Sequence, residues 1–219
     1  MTQNTLKISS AILWVMSYLG IMLLYTFLDV AIWRKFFPDN SEWINCIIII
    51  LFVYAFIQIL KKQSQIAILS NITISGIFMA IACSALFFLL LDNCLDPIFE
   101  SFFPQSEKEY QETIQSLVKS PVTSLLQVCI IAPVIEEILM RGFVLEGLKH
   151  TYGTSAALLL SSLLFAILHF NMVQTLSALV CGILLGCLYL KTNAIFCCII
   201  AHAGYNLISY ISAVASKYS

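Results

Sequence analysis

Charge is what this 219-residue chain has least of: Asp, Glu, Lys and Arg make up 11% of it, against 60% hydrophobic residues. A soluble domain carries about 25% charged residues, so composition alone excludes an ordinary water-soluble fold and implies a chain embedded in lipid. Basic residues are in no excess either, 11 against 12 acidic. Without a basic face nothing can hold a phosphate backbone, which excludes nucleic acid as a partner. The sequence also lacks a Gly-x-Ser-x-Gly nucleophile setting, a His-Glu-x-x-His zinc signature, a glycine-rich phosphate loop, and any repeat or low-complexity tract. A disulfide framework is missing too, because Cys46, Cys83, Cys129, Cys181, Cys187, Cys197 and Cys198 lie in apolar runs, where a thiol behaves as a small hydrophobe, and only Cys94 sits at an interface.

Long apolar runs are what the chain has in abundance. A crossing helix needs roughly 20 apolar residues, and the charged breaks predict an all-α, polytopic transmembrane bundle of about seven spans: 8–32, 43–60, 66–91, 121–149, 155–174, 176–190 and 194–215. The first run is too long for a signal-peptide core and no small-residue cleavage site follows it, so it is expected to be retained as a span. The connection 92–120 is acidic, and its Tyr110, Ile114, Leu117 and Val118 recur as one apolar stripe. That pattern predicts an interfacial helix before the fourth span. Lys7, Lys61, Lys62, Lys149 and Lys191 fall on the amino-terminal side, and Arg34, Lys35, Lys108, Lys119 and Lys217 on the other. The positive-inside rule is tied, and only discounting the long acidic connection leans toward an inward amino terminus.

The residues that attract chemical interest are polar ones far from the ends of apolar segments. Glu136 and Glu137 are adjacent within the fourth, where ionised groups cost several kcal/mol each unless paired or hydrated. Arg141 lies one turn after Glu137 and on its face, while Glu136 points about 100° away and has no local partner. Pro133 interrupts the helix's hydrogen bonding just upstream. His169 closes another apolar run, and His202 and Asn206 share a face of the last span. Counted along helices, Glu136 lies about 20 Å from the turn after the fourth segment and His169 about 21 Å, with His202 and Asn206 at about 14 and 20 Å from the same membrane face. Four polar groups from three helices are therefore expected in one layer.

Two hydrolytic schemes use these side chains. In one, the carboxylate and an imidazole activate water, and His202 with Asn206 donates to the oxyanion. In the other, Glu136, His169 and His202 hold a zinc ion with Glu137 or a bound water as base. A polar knot of Glu136, Glu137 and Arg141 that merely pins helices is the non-catalytic reading.

Three motifs occur in order: Glu136-Glu137-x-x-x-Arg141, Phe165-x-x-x-His169 and His202-x-x-x-Asn206. In these the chain resembles the CPBP or Abi family of intramembrane proteases, which includes the eukaryotic CAAX prenyl endopeptidase and bacterial members linked to bacteriocin self-immunity. The resemblance covers roughly residues 121–210. It implies a catalytic core at 121–215, preceded by amino-terminal spans and the amphipathic connection at 1–120 and followed by a tail at 216–219. By the same resemblance, Glu136 and His169 activate the hydrolytic water, His202 and Asn206 form the oxyanion site, and Glu137, Arg141 and Phe165 support them. The family has been called metalloproteases, so the expected cofactor is none or zinc; the complete acid, imidazole and amide set favours the metal-free scheme. The implied setting is an integral membrane protein, of the bacterial cytoplasmic membrane given the small size, acting on a membrane-associated peptide or protein. A non-catalytic immunity or scaffold protein and a small proton-coupled transporter are the alternatives.

Overall fold

A computed structural model describes residues 5–218, the side chains of the last three excepted. Eight helices follow one another, and among the described residues there is no strand. They are α1 (Ile8–Phe36), α2 (Ser41–Gln63), α3 (Ile74–Phe102), α4 (Pro104–Lys119), α5 (121–152), α6 (Thr154–Ile167), α7 (Met172–Thr192) and α8 (Ile195–Tyr218). Helices α1, α2, α3, α7 and the Ile195–Ala215 part of α8 are long and apolar enough to cross a membrane. The chain is a membrane-embedded all-α bundle.

Hydrogen bonds between loops sort the helix ends. The Leu6 amide donates to the Gly147 carbonyl (3.0 Å), Asn71 Nδ2 to the Asn193 carbonyl (3.0 Å) and Tyr189 Oη to Glu146 (3.1 Å). These bonds gather the starts of α1 and α3, the end of α5 and the α7–α8 turn at one end of the bundle. At the other end Asn171 Nδ2 donates to the Ser106 carbonyl (2.6 Å), and Ser120 donates to Glu42. Helix α4 lies at that end before α5, where the sequence stripe places an interfacial helix; with its carboxylates at Glu107, Glu109 and Glu112 it is too polar to enter hydrocarbon.

Of the seven expected crossings, five meet the demands of length and apolarity. The segment expected at 121–149 is a continuous helix over 121–152. Three expected boundaries are corrected. The third span starts at Ile74, not near residue 66, because Thr73 caps it by accepting from the Gly76 amide (3.0 Å). It runs on through Asp92 and Asp96, which neighbouring helices satisfy. The segment expected over 155–174 ends at Ile167, and its 14 helical residues span about 21 Å, short of a bilayer's hydrocarbon thickness. The break expected near Gln174 lies earlier, where the Asn171 side chain accepts from the Val173 (3.1 Å) and Gln174 (3.3 Å) amides and starts α7. Of the expected tail 216–219, helix α8 continues to Tyr218 and Ser219 lies outside the described residues.

The densest part of the core is the middle of α5, where every residue from Ile138 to Leu145 is buried. Small residues let its neighbours close on it. A Cβ on Gly182 of α7 would meet the Ser162 backbone of α6 at 3.2 Å, and one on Gly186 would collide with Leu158. Wide π-helical turns interrupt four places: 29–33, 88–95, 127–131 and 138–145. Such turns recur at functional sites because they re-aim side chains and free backbone groups. The last two flank the carboxylates of α5.

Candidate functional site

Glu137 is fully buried and is neutralised from its own helix. Arg141, one turn on, places Nε 3.0 Å from Oε2 and donates from Nη1 to Oε1 (3.1 Å). Its remaining donor, Nη2, reaches the Gly182 carbonyl of α7 (3.1 Å), an approach that the absent side chain of Gly182 permits. The guanidinium lies over the Phe165 ring of α6 at 4.8 Å. One arginine thus ties three helices together around a carboxylate.

His202 of α8 completes this arrangement. Its Nδ1 donates to Glu137 Oε1 at 2.9 Å, while Nε2 faces Glu136 Oε2 across 3.9 Å. The imidazole stands between the two carboxylates, orienting on one and presenting itself to the other. Glu136 keeps 15% of its side chain accessible, whereas Glu137 keeps none. The sequence expectation that Glu136 is the freer of the pair therefore has a physical counterpart: no arginine or lysine pairs with it among the described residues.

Phe165 is the hub. Its ring meets those of His169 (5.2 Å) and His202 (5.7 Å) edge to face. His169 lies just past the end of α6, not within a span, where Nδ1 donates to the Phe165 carbonyl (3.3 Å) and Thr175 holds the His169 carbonyl from α7 (2.6 Å). A carbonyl can only accept, so this bond fixes the proton on Nδ1 and leaves Nε2 of the neutral ring as an acceptor.

Asn206, one turn after His202, donates from Nδ2 to the Val128 carbonyl of α5 (2.9 Å). The reason is legible in the backbone. In the π-helical turn the Ala132 amide bonds five residues back to Gln127. The same register would pair Val128 with the amide of residue 133, and Pro133 has none. A carbonyl freed by proline is thus captured by the amide side chain of another helix.

A cleft of about 360 Å³ opens beside His169, between α4 and the loop entering α7, lined by Glu109, Tyr110, Thr113, His169, Asn171 and Gln174 among others. Burial pushes the Tyr110 hydroxyl up to about 12, and the negative charges of Asp92, Asp96 and Glu100 add to the shift. The structure therefore brings Glu136, Glu137, Arg141, Phe165, His169 and His202 into one connected cluster and anchors Asn206 beside it. Among the described residues no three of His, Cys, Asp and Glu group as a set of metal ligands, so Glu136, His169 and His202 do not fit a three-ligand zinc site. Sequence reasoning missed Asn171, whose signal was present: a capping residue directly before an apolar run.

Residues 118–208 match the family described as type II CAAX prenyl endopeptidase, Rce1-like. Over these residues, less than half of its length, the chain is similar to that family. The matched stretch contains all three motifs. No curated protein and no solved structure matches the chain. The matched family is one of CAAX-type proteases, and the five helices long and apolar enough to cross a membrane make this chain an integral membrane protein.

Proposed function

We propose that this protein is an intramembrane endopeptidase that hydrolyses a peptide bond in a membrane-associated or lipophilic peptide. The observation that carries the reading is the asymmetric pair: one carboxylate, Glu137, is fully buried and held by Arg141 and His202, while its neighbour Glu136 is left partly accessible beside an imidazole. A structural knot needs only the first of these. A water activator needs the second.

Water bound between Glu136 and His169, oriented by the open Nε2 as acceptor, loses a proton to the Glu136 carboxylate as it attacks the scissile carbonyl. His202, aligned through Nδ1 by Glu137, offers Nε2–H in its protonated form to the developing oxyanion. Asn206 has two N–H bonds; Val128 accepts one, and the second is free to donate. The proton held by Glu136 then passes to the leaving amine. Substrate approaches along the cleft walled by α4, which is lined by His169 itself.

The test uses purified protein in lipid with a library of membrane-associated peptides, products being identified by mass. Glu136→Gln and His169→Ala are each expected to lower the rate by about 10²–10⁴-fold while the protein stays folded. Chelation leaves the rate unchanged in this mechanism, and a loss restored by zinc would replace it with a metal-assisted one. Cleavage that survives Glu136→Gln would remove Glu136 from the chemistry, whereas host protection that survives Glu136→Ala or His169→Ala in folded protein would leave a scaffold or immunity role.

A further inference from the structure

One carboxylate inside a membrane-crossing helix plays no part in this chemistry, yet it is held as firmly as any group in the site. Asp92 sits in the π-helical turn of α3, half-buried, and accepts from Tyr205 Oη at 2.8 Å and from Ser209 Oγ at 2.5 Å. Both donors are on α8. They bracket Asn206, one residue before it and three after, and Tyr205 is three residues past His202. An ionised group at such a place is costly unless it has a task.

The packing around it shows what the task is. Helices α3 and α8 run in the same direction from the same end of the bundle and touch along their length. A Cβ on Gly204 would meet Ser84 Oγ at 2.5 Å, Ser84 donates to the Ala201 carbonyl (3.0 Å), and Phe87 meets the Tyr205 ring edge to face at 6.0 Å. Residues 201, 204, 205 and 209 therefore form the face of α8 turned to α3, and His202 with Asn206 lies about 100° round the axis. Small and apolar contacts bring the helices close but resist rotation weakly. Two directed, charge-assisted bonds to one carboxylate fix it. With side chains reaching about 5–6 Å from a helix axis, a turn of about 20° would move the His202 ring by about 2 Å, enough to break its 2.9 Å bond to Glu137.

We propose that Asp92, which lies outside the matched residues 118–208, is a positioning residue of the site: its hydrogen bonds to Tyr205 and Ser209 set the rotation of α8 that aims His202 and Asn206. The inference rests on the hydrolytic reading for its kinetic test and on geometry for its second one. Asp92→Ala is expected to lower kcat about 100-fold, since a misplacement of about 1 Å at a reacting centre costs that much, with KM changed less than about twofold because no substrate contact is lost. The double variant Tyr205→Phe/Ser209→Ala should reproduce this loss, and adding Asp92→Ala to it should change nothing more. Asp92→Asn, which keeps one acceptor oxygen, should recover about tenfold.

The second measurement needs no activity. The chain has three histidines, and ring-nitrogen NMR of labelled protein in detergent should show the His202 signal leaving its Glu137-bonded position in Asp92→Ala while His150 and His169 stay. An unchanged kcat, losses that add across the triple variant, or an unmoved His202 signal would overturn the proposal. If wild-type protein cleaves no peptide, the hydrolytic reading fails, and the His202 signal still decides the role of Asp92.

Discussion

Helices α1 and α5 stand at the two extremes of this bundle. In α1 only 17% of the most apolar window is buried, and Leu13 and Phe27 each expose 67% of their surface. In α5 eight successive residues from Ile138 are buried, and the same helix carries Glu136, Glu137 and Arg141. The two regions invert the rule for soluble proteins: the apolar helix faces the solvent, here lipid, and the charged one forms the core. The lesson is that lipid supplies no drive to bury apolar side chains, so what lies inside is what lipid rejects.

The largest effect should come from unbalancing the charged core. Arg141→Ala leaves Glu137 buried without its cation, which typically costs about 3–5 kcal/mol, whereas Arg141→Met combined with Glu137→Gln should recover most of the loss. Thermal inactivation in detergent measures both, and a mild single variant would show that His202 alone satisfies Glu137. A middle effect belongs to neither extreme but to the end of the bundle where α4 meets α7. Asn171→Ala removes the cap of α7, worth about 1 kcal/mol, together with the bond to Ser106. Faster hydrogen exchange confined to 104–119 and 168–174 is expected, and protection unchanged there would mean that α4 is held by other contacts. The smallest effect lies on the lipid face, where Leu13→Ala or Phe27→Leu should shift stability by less than about 0.5 kcal/mol. A loss as large as that of Asn171→Ala would show that this face of α1 is covered.

How much of this was legible in the sequence differs by kind of residue. Glu136, Glu137, Arg141, His202 and Asn206 announced themselves because polar groups inside apolar runs have few reasons to be there. His169 stood out as the polar end of an apolar run and Phe165 only through the resemblance, but that His169 falls beyond the helix end was hidden, since Ile167 to Met172 is apolar throughout apart from the histidine and the capping Asn171. Asp92 and Asp96 misled in the opposite direction. Their charges read as a helix end, whereas Tyr205, Ser209 and Ser177 satisfy them and let α3 continue to Phe102. Such partners are distant in sequence and leave no local mark.

Arg141 and Glu137 being one turn apart on a single helix bears on how the protein is made. Ribosomal synthesis delivers α5 before α6, α7 and α8 exist, so the translocon handles that helix alone. Because the counterion travels with the carboxylate, insertion need not wait for a later segment to cancel the charge. Glu136 has no such companion on its own helix and meets the His202 imidazole only when α8 arrives, so the site is completed after α5, α6 and α7 have been made.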